Sequence, residues 1–413
     1  MKEQKAYLEL GEEIVRKLQR EGYLAYFAGG WVRDFLMSLP SDDIDIVTEA
    51  SVEEILSLFP KTVPVGIRFG IVIVVEGGER FEVATFRKDH TYKDGRRPTG
   101  FAKASPEKDA ERRDFTINGM FYDPVNGELI DYVGGHEDLQ RGIVRAIGNP
   151  RERFLEDRLR MIRAIRYASR FRFVLETETL KAVIDHAHLL FPAVAIERVW
   201  GEFRKMARYP GFDTALITLH RLNLLSVIFP QLKEVSTGEI AKRLSTLPRF
   251  PEKTPVIVKI LELFPETTLR EKEAIATYLK VPNREKLFVR FLHLTQTVFL
   301  DPNPEPYDLA RCYADHRASL CLHICAARLP PEKRDPFLAR HTAMQRTLEE
   351  PVRRLEKKKP YLTATDLKRV GIPEGEEMGR LLREGEKIAI NARIYDPKEI
   401  MKSLGLSCEE RES

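Results

Sequence analysis

Cysteine is scarce in this chain, with 4 among 413 residues, and tryptophan scarcer still, with 2. Four scattered thiols cannot frame a disulfide scaffold, so the fold has to rest on buried cores. Long apolar runs are missing too, and no uninterrupted stretch reaches the length that would span a bilayer. Neither sign of charge dominates, because 67 Lys and Arg face 63 Asp and Glu for a net charge of +4. A nucleic-acid partner must therefore be read from where charges cluster rather than from their sum. Repeats and low-complexity tracts are also absent. With 43% hydrophobic and 31% charged residues, the composition is that of a soluble globular protein and excludes a disordered chain. The N-terminal stretch mixes acids and bases around Leu10, Ile14 and Leu18 at helical spacing. That pattern reads as an amphipathic helix, not a signal or transit peptide, and predicts a cytoplasmic protein.

The first part of the chain alternates helix and strand patterns. A helix to about Glu21, a strand at YLAYFA, a Gly-Gly turn, a helix at WVRDFLMSL and an acidic strand come first, followed by strands at FGIVIVVEG and RFEVATFR. Beyond Pro150 the periodicity is helical and strand signals disappear. The fold class expected is α+β, a small mixed head with a central sheet followed by an elongated all-helical region. The charged, Gly- and Pro-bearing stretch KDHTYKDGRRPTGFAKASPEKDAERRD reads as a surface loop.

The most telling short stretch is PSDDIDIVT. Side chains alternate along a strand, so Asp43 and Asp45 project from one face while Ile44 and Ile46 take the other. Two carboxylates sharing one small volume repel unless a cation sits between them, which points to a divalent metal site; an edge strand with solvated acids is the rival reading. Asp42 would fall on the hydrophobic side and reads as the end of the preceding loop. Upstream, Gly29 and Gly30 follow a strand and open a helix carrying Arg33 and Asp34, which suits a phosphate cradle. Cradle and carboxylates together are what nucleotidyl transfer needs: Mg²⁺ binds a few carboxylates plus substrate phosphates. A third carboxylate could come from Glu82 or from Asp114. Arg112 and Arg113 supply forked donors for phosphate, and Asn118 could bond a ribose hydroxyl.

In RERFLEDRLRMIRAIRYASRF, Leu159, Ile162 and Ile165 form an apolar stripe while Asp157, Arg160 and Arg163 recur on another face, extended by Arg166 and Arg170. An amphipathic helix with salt-bridging residues accounts for that pattern. A sharper reading is that an acid beside an arginine complements the amino group and ring nitrogen shared by cytosine and adenine, so the helix would select C and A without a template.

FAGGWVRDFL, DDIDIVT, DGRRP, RRDFTIN, IDYVGGHEDL and RERFLEDRLRMIRAIRYASRF occur in this order. Together they closely resemble the class II tRNA nucleotidyltransferases and bacterial poly(A) polymerases of the DNA polymerase beta superfamily, over roughly the first half of the chain. The resemblance implies a catalytic head at 1–145, a neck at 146–210 that recognises the base, a body at 211–300 and a tail at 301–413 that binds tRNA at its acceptor stem and elbow. It makes Asp43 and Asp45 the catalytic metal ligands in a two-metal reaction. Gly29, Gly30, Arg33, Arg112 or Arg113, and Asn118 become nucleotide contacts, and Asp157 with Arg160 becomes the base-reading pair, with Arg163 and Arg166 alongside. Asp94, Gly95, Arg96, Arg97 and Pro98 match the flexible loop with which such enzymes change from adding C to adding A. The activity implied is addition of CMP and AMP from CTP and ATP to the 3′ end of tRNA, with release of pyrophosphate and Mg²⁺ as cofactor. VPVGIRFGIVIV is nearer the CCA-adding pattern than the basic stretch of the poly(A) polymerases, while an A-only enzyme or a poly(A) polymerase stays open. Neither membrane nor DNA is an expected partner, and the oligomeric state is left open. No second metal site is expected at Cys321, His323 and Cys325, in a stretch that reads as a buried helix, or at Asp185 and Asp315, which lack the HD phosphohydrolase spacing.

Overall fold

The computed structural model describes residues 2–41, 43–63, 69–89 and 100–406. The loop residues Asp94 to Pro98 and Asp42 lie outside the described residues. Two compact units divide the chain, Met1–Lys242 and Arg243–Ser413.

In the first unit, β1 (Ala25–Ala28), β2 (Asp45–Thr48), β3 (Thr62–Val63), β4 (Ile71–Glu76) and β5 (Glu79–Thr85) belong to the main sheet. β6 (Arg87–Asp89) and β7 (Phe101–Lys103) pair separately, and β8 (Phe121–Asp123) and β9 (Glu128–Ile130) complete the main sheet. Its order is β3-β4-β5-β2-β1-β8-β9, antiparallel except where β2 runs parallel to β5. Each face of the sheet has its own cover. Ile14, Val15 and Leu18 of the helix Lys2–Arg20 pack with Ile46, Phe81 and Val83 on one side. Val47, Phe86 and Phe121 pack with Ala110 of the helix Pro106–Glu111 on the other. Each fully buried Phe in these clusters contributes about 1.5–3 kcal/mol relative to exposure.

Two expectations change at this level. β2 begins at Asp45, so Asp43 lies in the coil before it, although the alternation of exposed Asp43 and Asp45 with buried Ile44 and Ile46 survives. The segment expected as one surface loop has, at its described ends, strands β6 and β7 and the helix Pro106–Glu111. Ser105 caps that helix by accepting the Lys108 N–H, and Pro106 occupies its first turn, so a stretch rich in charge and proline is helical through its capping.

Beyond the head, the helices Pro150–Glu156 and Leu159–Phe171 follow each other with a break between them. The second buries Met161, Ile162, Ala164 and Ile165, and stops at Arg172 in the left-handed region (φ 58°), where Phe173 N–H returns to Ala168 O at 2.9 Å. One strand pair departs from the all-helical expectation. β10 (Ile143–Val144) runs parallel to β11 (Val174–Leu175), a two-residue extended piece too short to leave a pattern in sequence.

The second unit is helical from Val256–Leu261 to Pro397–Ser403, with capping boxes at Thr268 and Thr363. Cys321 and Cys325 are fully buried there, and burial pushes their thiols up to about 12 and about 11. His323 Nδ1 bonds Ser319 O, and Asp315 pairs with Arg317. No helix among the described residues is long and apolar enough to cross a membrane.

Candidate active site

Register places the acids. Asp45 lies opposite Ala28 on β1 and Glu82 on β5, so the carboxylates of Asp45 and Glu82 are neighbours across the parallel β2–β5 pair. Asp45 keeps access to solvent, yet surrounding protein strips enough water to push its carboxyl up to about 6. Glu82 and Asp43 push the same way, and Arg113 opposes them. Carboxylates are oxygen donors, which suit a hard divalent cation that keeps several ligands from water and substrate. No group of three such side chains stands within ligating reach of one ion among the described residues, so a cation held by Asp43 and Asp45 would complete its shell from outside the protein.

Gly29 sits between these acids and the arginines. Its φ of 69° favours glycine, and a Cβ there would come within 3.0 Å of Arg113 Nη1 and 3.8 Å of Asp45 Oδ2. Arg113 is thus the arginine of the 112–113 pair that faces Asp45. Both arginines are fixed from below by Asp109, which is fully buried: Arg112 donates to its Oδ1 at 2.9 and 2.7 Å, Arg113 to its Oδ2 at 3.1 and 3.0 Å. Burial alone would raise the Asp109 carboxyl, but the two guanidiniums hold it below the usual range.

Arg33 turns back beneath Gly30 and is only 3% exposed. Its Nε and Nη2 donate to Asp34 Oδ1 at 2.9 and 2.7 Å and its Nη1 to Asn118 Oδ1, while its plane lies over the rings of Tyr167 and Phe171. Asn118 in turn donates to Asp114 Oδ1 at 3.1 Å. The other Asp114 oxygen accepts Arg163 Nε at 2.8 Å and also its Nη2. Burial would raise the Asp114 carboxyl, but Arg163 and the Asn118 amide overcome it and hold it at about 2. Of the two candidates for a third carboxylate, Glu82 therefore lies beside Asp45, whereas Asp114 is engaged with an arginine of the neck.

The base-reading candidates gather at the break between the neck helices. Asp157 is not on the helix with Arg160, because its φ and ψ of −143° and 102° end the preceding helix. Its Oδ1 accepts the Leu159 N–H at 3.1 Å and its Oδ2 accepts Arg198 Nη2 at 2.7 Å. Arg160 Nη1 donates to Arg153 O at 2.9 Å and to Glu156 Oε2 at 2.6 Å. Arg166 donates to Glu202 at 2.6 Å, and Arg170 to Asp34 Oδ2 at 3.1 Å. Arg33, Arg163 and Arg166 all lie over the Tyr167 ring; burial would raise its phenol, but Arg163, Arg166 and Arg33 outweigh burial and lower it. Sequence reasoning missed Asp109, Glu202 and Arg198. Asp109 stands i−3 and i−4 to its arginines, a spacing that could have been read once a helix was assigned there; the other two come from a distant helix and leave no local sign.

Comparison with known proteins starts from the head and its neighbour. Residues 25–145 match the poly A polymerase head domain, and residues 172–235 match the probable RNA and SrmB-binding site of polymerase A. The head of this chain is thus similar to that of poly A polymerases. The particular proteins it resembles are CCA-adding enzymes. That of Anoxybacillus flavithermus is 44% identical over 225 residues, 54% of this chain and 55% of that protein. In sequence the match thus spans about half the length of such curated relatives. In structure, the CCA-adding enzyme of Bacillus stearothermophilus in complex with CTP is 27% identical with a TM-score of 0.79, covering 96% of this chain and 97% of that one. The Thermotoga maritima CCA-adding enzyme complexed with tRNA_CCA, at 21% identity and a TM-score of 0.65, covers 97% and 95% and shares the fold.

Proposed function

We propose that this protein is a CCA-adding tRNA nucleotidyltransferase of the cytoplasm, extending the 3′ end of tRNA with CMP and AMP from CTP and ATP and releasing pyrophosphate. The observation that carries this reading is the facing of Asp45 and Glu82 with Arg113 across Gly29. It lies in a head that matches the poly A polymerase head domain and is similar to CCA-adding enzymes. In this reading Asp43 and Asp45 hold Mg²⁺, with Glu82 as the nearby third acid. The bound cations would supply charge neutralisation on the triphosphate and ease loss of the proton from the RNA's terminal hydroxyl.

The chain's own groups do the positioning. Arg113, held rigid by Asp109, meets the triphosphate beside the acids. Arg33 works from beneath, since each of its nitrogens is already bonded, and it holds Asn118 toward the site. Asp157 offers an acceptor and Arg160 donors to the base edge, each kept in one orientation by Arg198 and Glu156. Transfer is then positioning plus charge stabilisation at the α-phosphorus. Basic residues of the neck and tail would grip tRNA at its acceptor stem and elbow through phosphates, so binding should weaken with salt.

The likeness of the head to that of poly A polymerases supports poly(A) synthesis as the second reading, with A-only addition beside it. Purified protein incubated with tRNA transcripts ending before the tail, after the first C and after CC, with CTP or ATP added separately, separates all of these at single-nucleotide resolution. Asp45→Ala should abolish incorporation while tRNA still binds. Wild-type turnover in that variant would remove the metal assignment.

A further inference from the structure

Far along the chain from the acids, the second unit contains a cavity of about 260 Å³ that the proposed reaction does not use. Its walls are apolar: Val258 and Leu261 from the helix Val256–Leu261, Val289 and Leu292 from the helix Asn283–Leu300, and Phe264 between them. All five are nearly inaccessible from outside. Four polar side chains and one more cation, Glu262, His293, Gln296, Arg328 and Lys272, open into the same space.

Charge is unbalanced there. Arg328 is satisfied, donating to Glu262 Oε1 at 2.6 and 3.2 Å and to Gln296 Oε1 at 3.0 Å. Glu262, the one carboxylate among the lining residues described, is bonded to Arg328 and acts on Lys272 only at longer range, so it faces two cations. Lys272 has no carboxylate within ion-pair distance among the described residues, and its one polar neighbour is His293 Nδ1 at 3.4 Å. Burial and then Arg328 move its ammonium below the usual lysine range against the opposing pull of Glu262, and burial with Lys272 does the same to His293. An ammonium in partly apolar surroundings whose nearest carboxylate is bonded to another cation is unfavourable, and an anion at that point would relieve it.

From this geometry we infer that the cavity is a binding site for a small organic anion, a carboxylate or phosphate monoester carrying a compact apolar body. The acid would bond Lys272 Nζ and the amide of Gln296, and the body would lie against Val258, Leu261, Phe264, Val289 and Leu292. Each half of the lining excludes a simpler occupant. A neutral apolar molecule would bury the Lys272 ammonium with no acceptor, and a hydrated inorganic anion would leave the apolar walls wet. The size admits one ring or a short branched chain, below the range of most cofactors. This site is independent of the nucleotidyl-transfer reading, because all its lining residues come from the second unit.

The test is a thermal-unfolding titration of the full-length protein with benzoate and with phenyl phosphate, beside benzamide, benzylamine and inorganic phosphate at matched ionic strength. A ligand that binds only the folded state raises the midpoint with its concentration. The expected result is a saturable rise with benzoate, phenyl phosphate or both, none with the other three, and at least a tenfold weaker apparent affinity in Lys272→Met and in Gln296→Leu. The relative response to benzoate and phenyl phosphate identifies the acid. The two variants also serve as each other's control for folding, and the wild-type ligand series stands without either. Equal stabilisation by benzamide, an equal rise with inorganic phosphate, no response to either organic anion, or a response unchanged in Lys272→Met would each overturn the site.

Discussion

Replacing Asp114 by asparagine separates two roles open to its carboxylate. Its carboxylate is bonded by Arg163 Nε and Nη2, the Asn118 amide and the Phe115 N–H. If it serves to hold the neck arginine, its loss is a matter of folding stability; if it ligates the cation, its loss is a matter of metal affinity. The fall of its pKa from 3.8 to about 2 corresponds to roughly 2.4 kcal/mol of preference for the charged form in the folded state. The sign follows from a lowered carboxylate: this stability is full above the unfolded value near 4 and is lost as pH falls toward 2. Asparagine keeps the shape but not the charge, and it leaves Arg163 partly buried without its counterion, a situation that costs about 3–5 kcal/mol for fully buried pairs. Arg163 keeps 30% of its side chain in solvent, which brings the cost to the bottom of that range or below it.

The expected outcome is a loss of about 2–3 kcal/mol in urea unfolding at pH 7, narrowing as pH is lowered below 4. The double variant with Arg163→Met should lose clearly less than the sum of the two single losses. The Mg²⁺ concentration for half-maximal incorporation should not move, whereas in Glu82→Gln it should rise. Wild-type stability in Asp114→Asn together with a raised Mg²⁺ requirement would refute the assignment and make Asp114 the third ligand.

Three further outcomes follow from the same geometry. Gly29→Ala forces a Cβ to 3.0 Å from Arg113 Nη1 at a φ of 69°, so stability should fall by about 1–3 kcal/mol. Incorporation should fall further than stability explains, because Arg113 must move; steady-state kinetics on the folded variant measure this. Arg160→Ala should lose discrimination among the four nucleoside triphosphates before it loses metal dependence, and unchanged sorting in single-nucleotide incorporation would exclude Arg160 from base reading. Glu386 is buried with its Oε1 unbonded, and burial raises its carboxyl to about 7. A raised carboxyl gives stability that is full below about 4.5 and lost as pH rises through 7, so Glu386→Gln should gain up to about 3 kcal/mol at pH 8 and little at pH 4.5 in thermal or urea unfolding.

The neck shows why sequence carried the site's composition further than its construction. The alternation of Asp43, Ile44, Asp45 and Ile46 is local, so it could be read directly, and the burial of Ile44 and Ile46 follows it. Arg33 was equally visible as a cation after a glycine pair, but its depth is set by Asp34, Asn118 and two rings from a helix far along the chain, which no spacing announces. The arginine pattern of the Leu159–Phe171 helix admits either a salt-bridged amphipathic helix or a base reader. In the function proposed above the two are one device. Arg160 pairs across the helix break with Glu156 four residues before it, while Arg163, Arg166 and Arg170 pair with Asp114, Glu202 and Asp34 from elements more distant in the chain. Long side chains lose less entropy on meeting a ligand when they are already held in one place. The pairs that look merely structural are thus what would let the neck present a fixed pattern of donors to a base. It follows that Glu202→Gln, which touches no acid of the head and frees Arg166, should blur the choice of nucleotide while leaving metal dependence untouched; sharp selection in that variant would mean that Arg166 takes no part in reading the base.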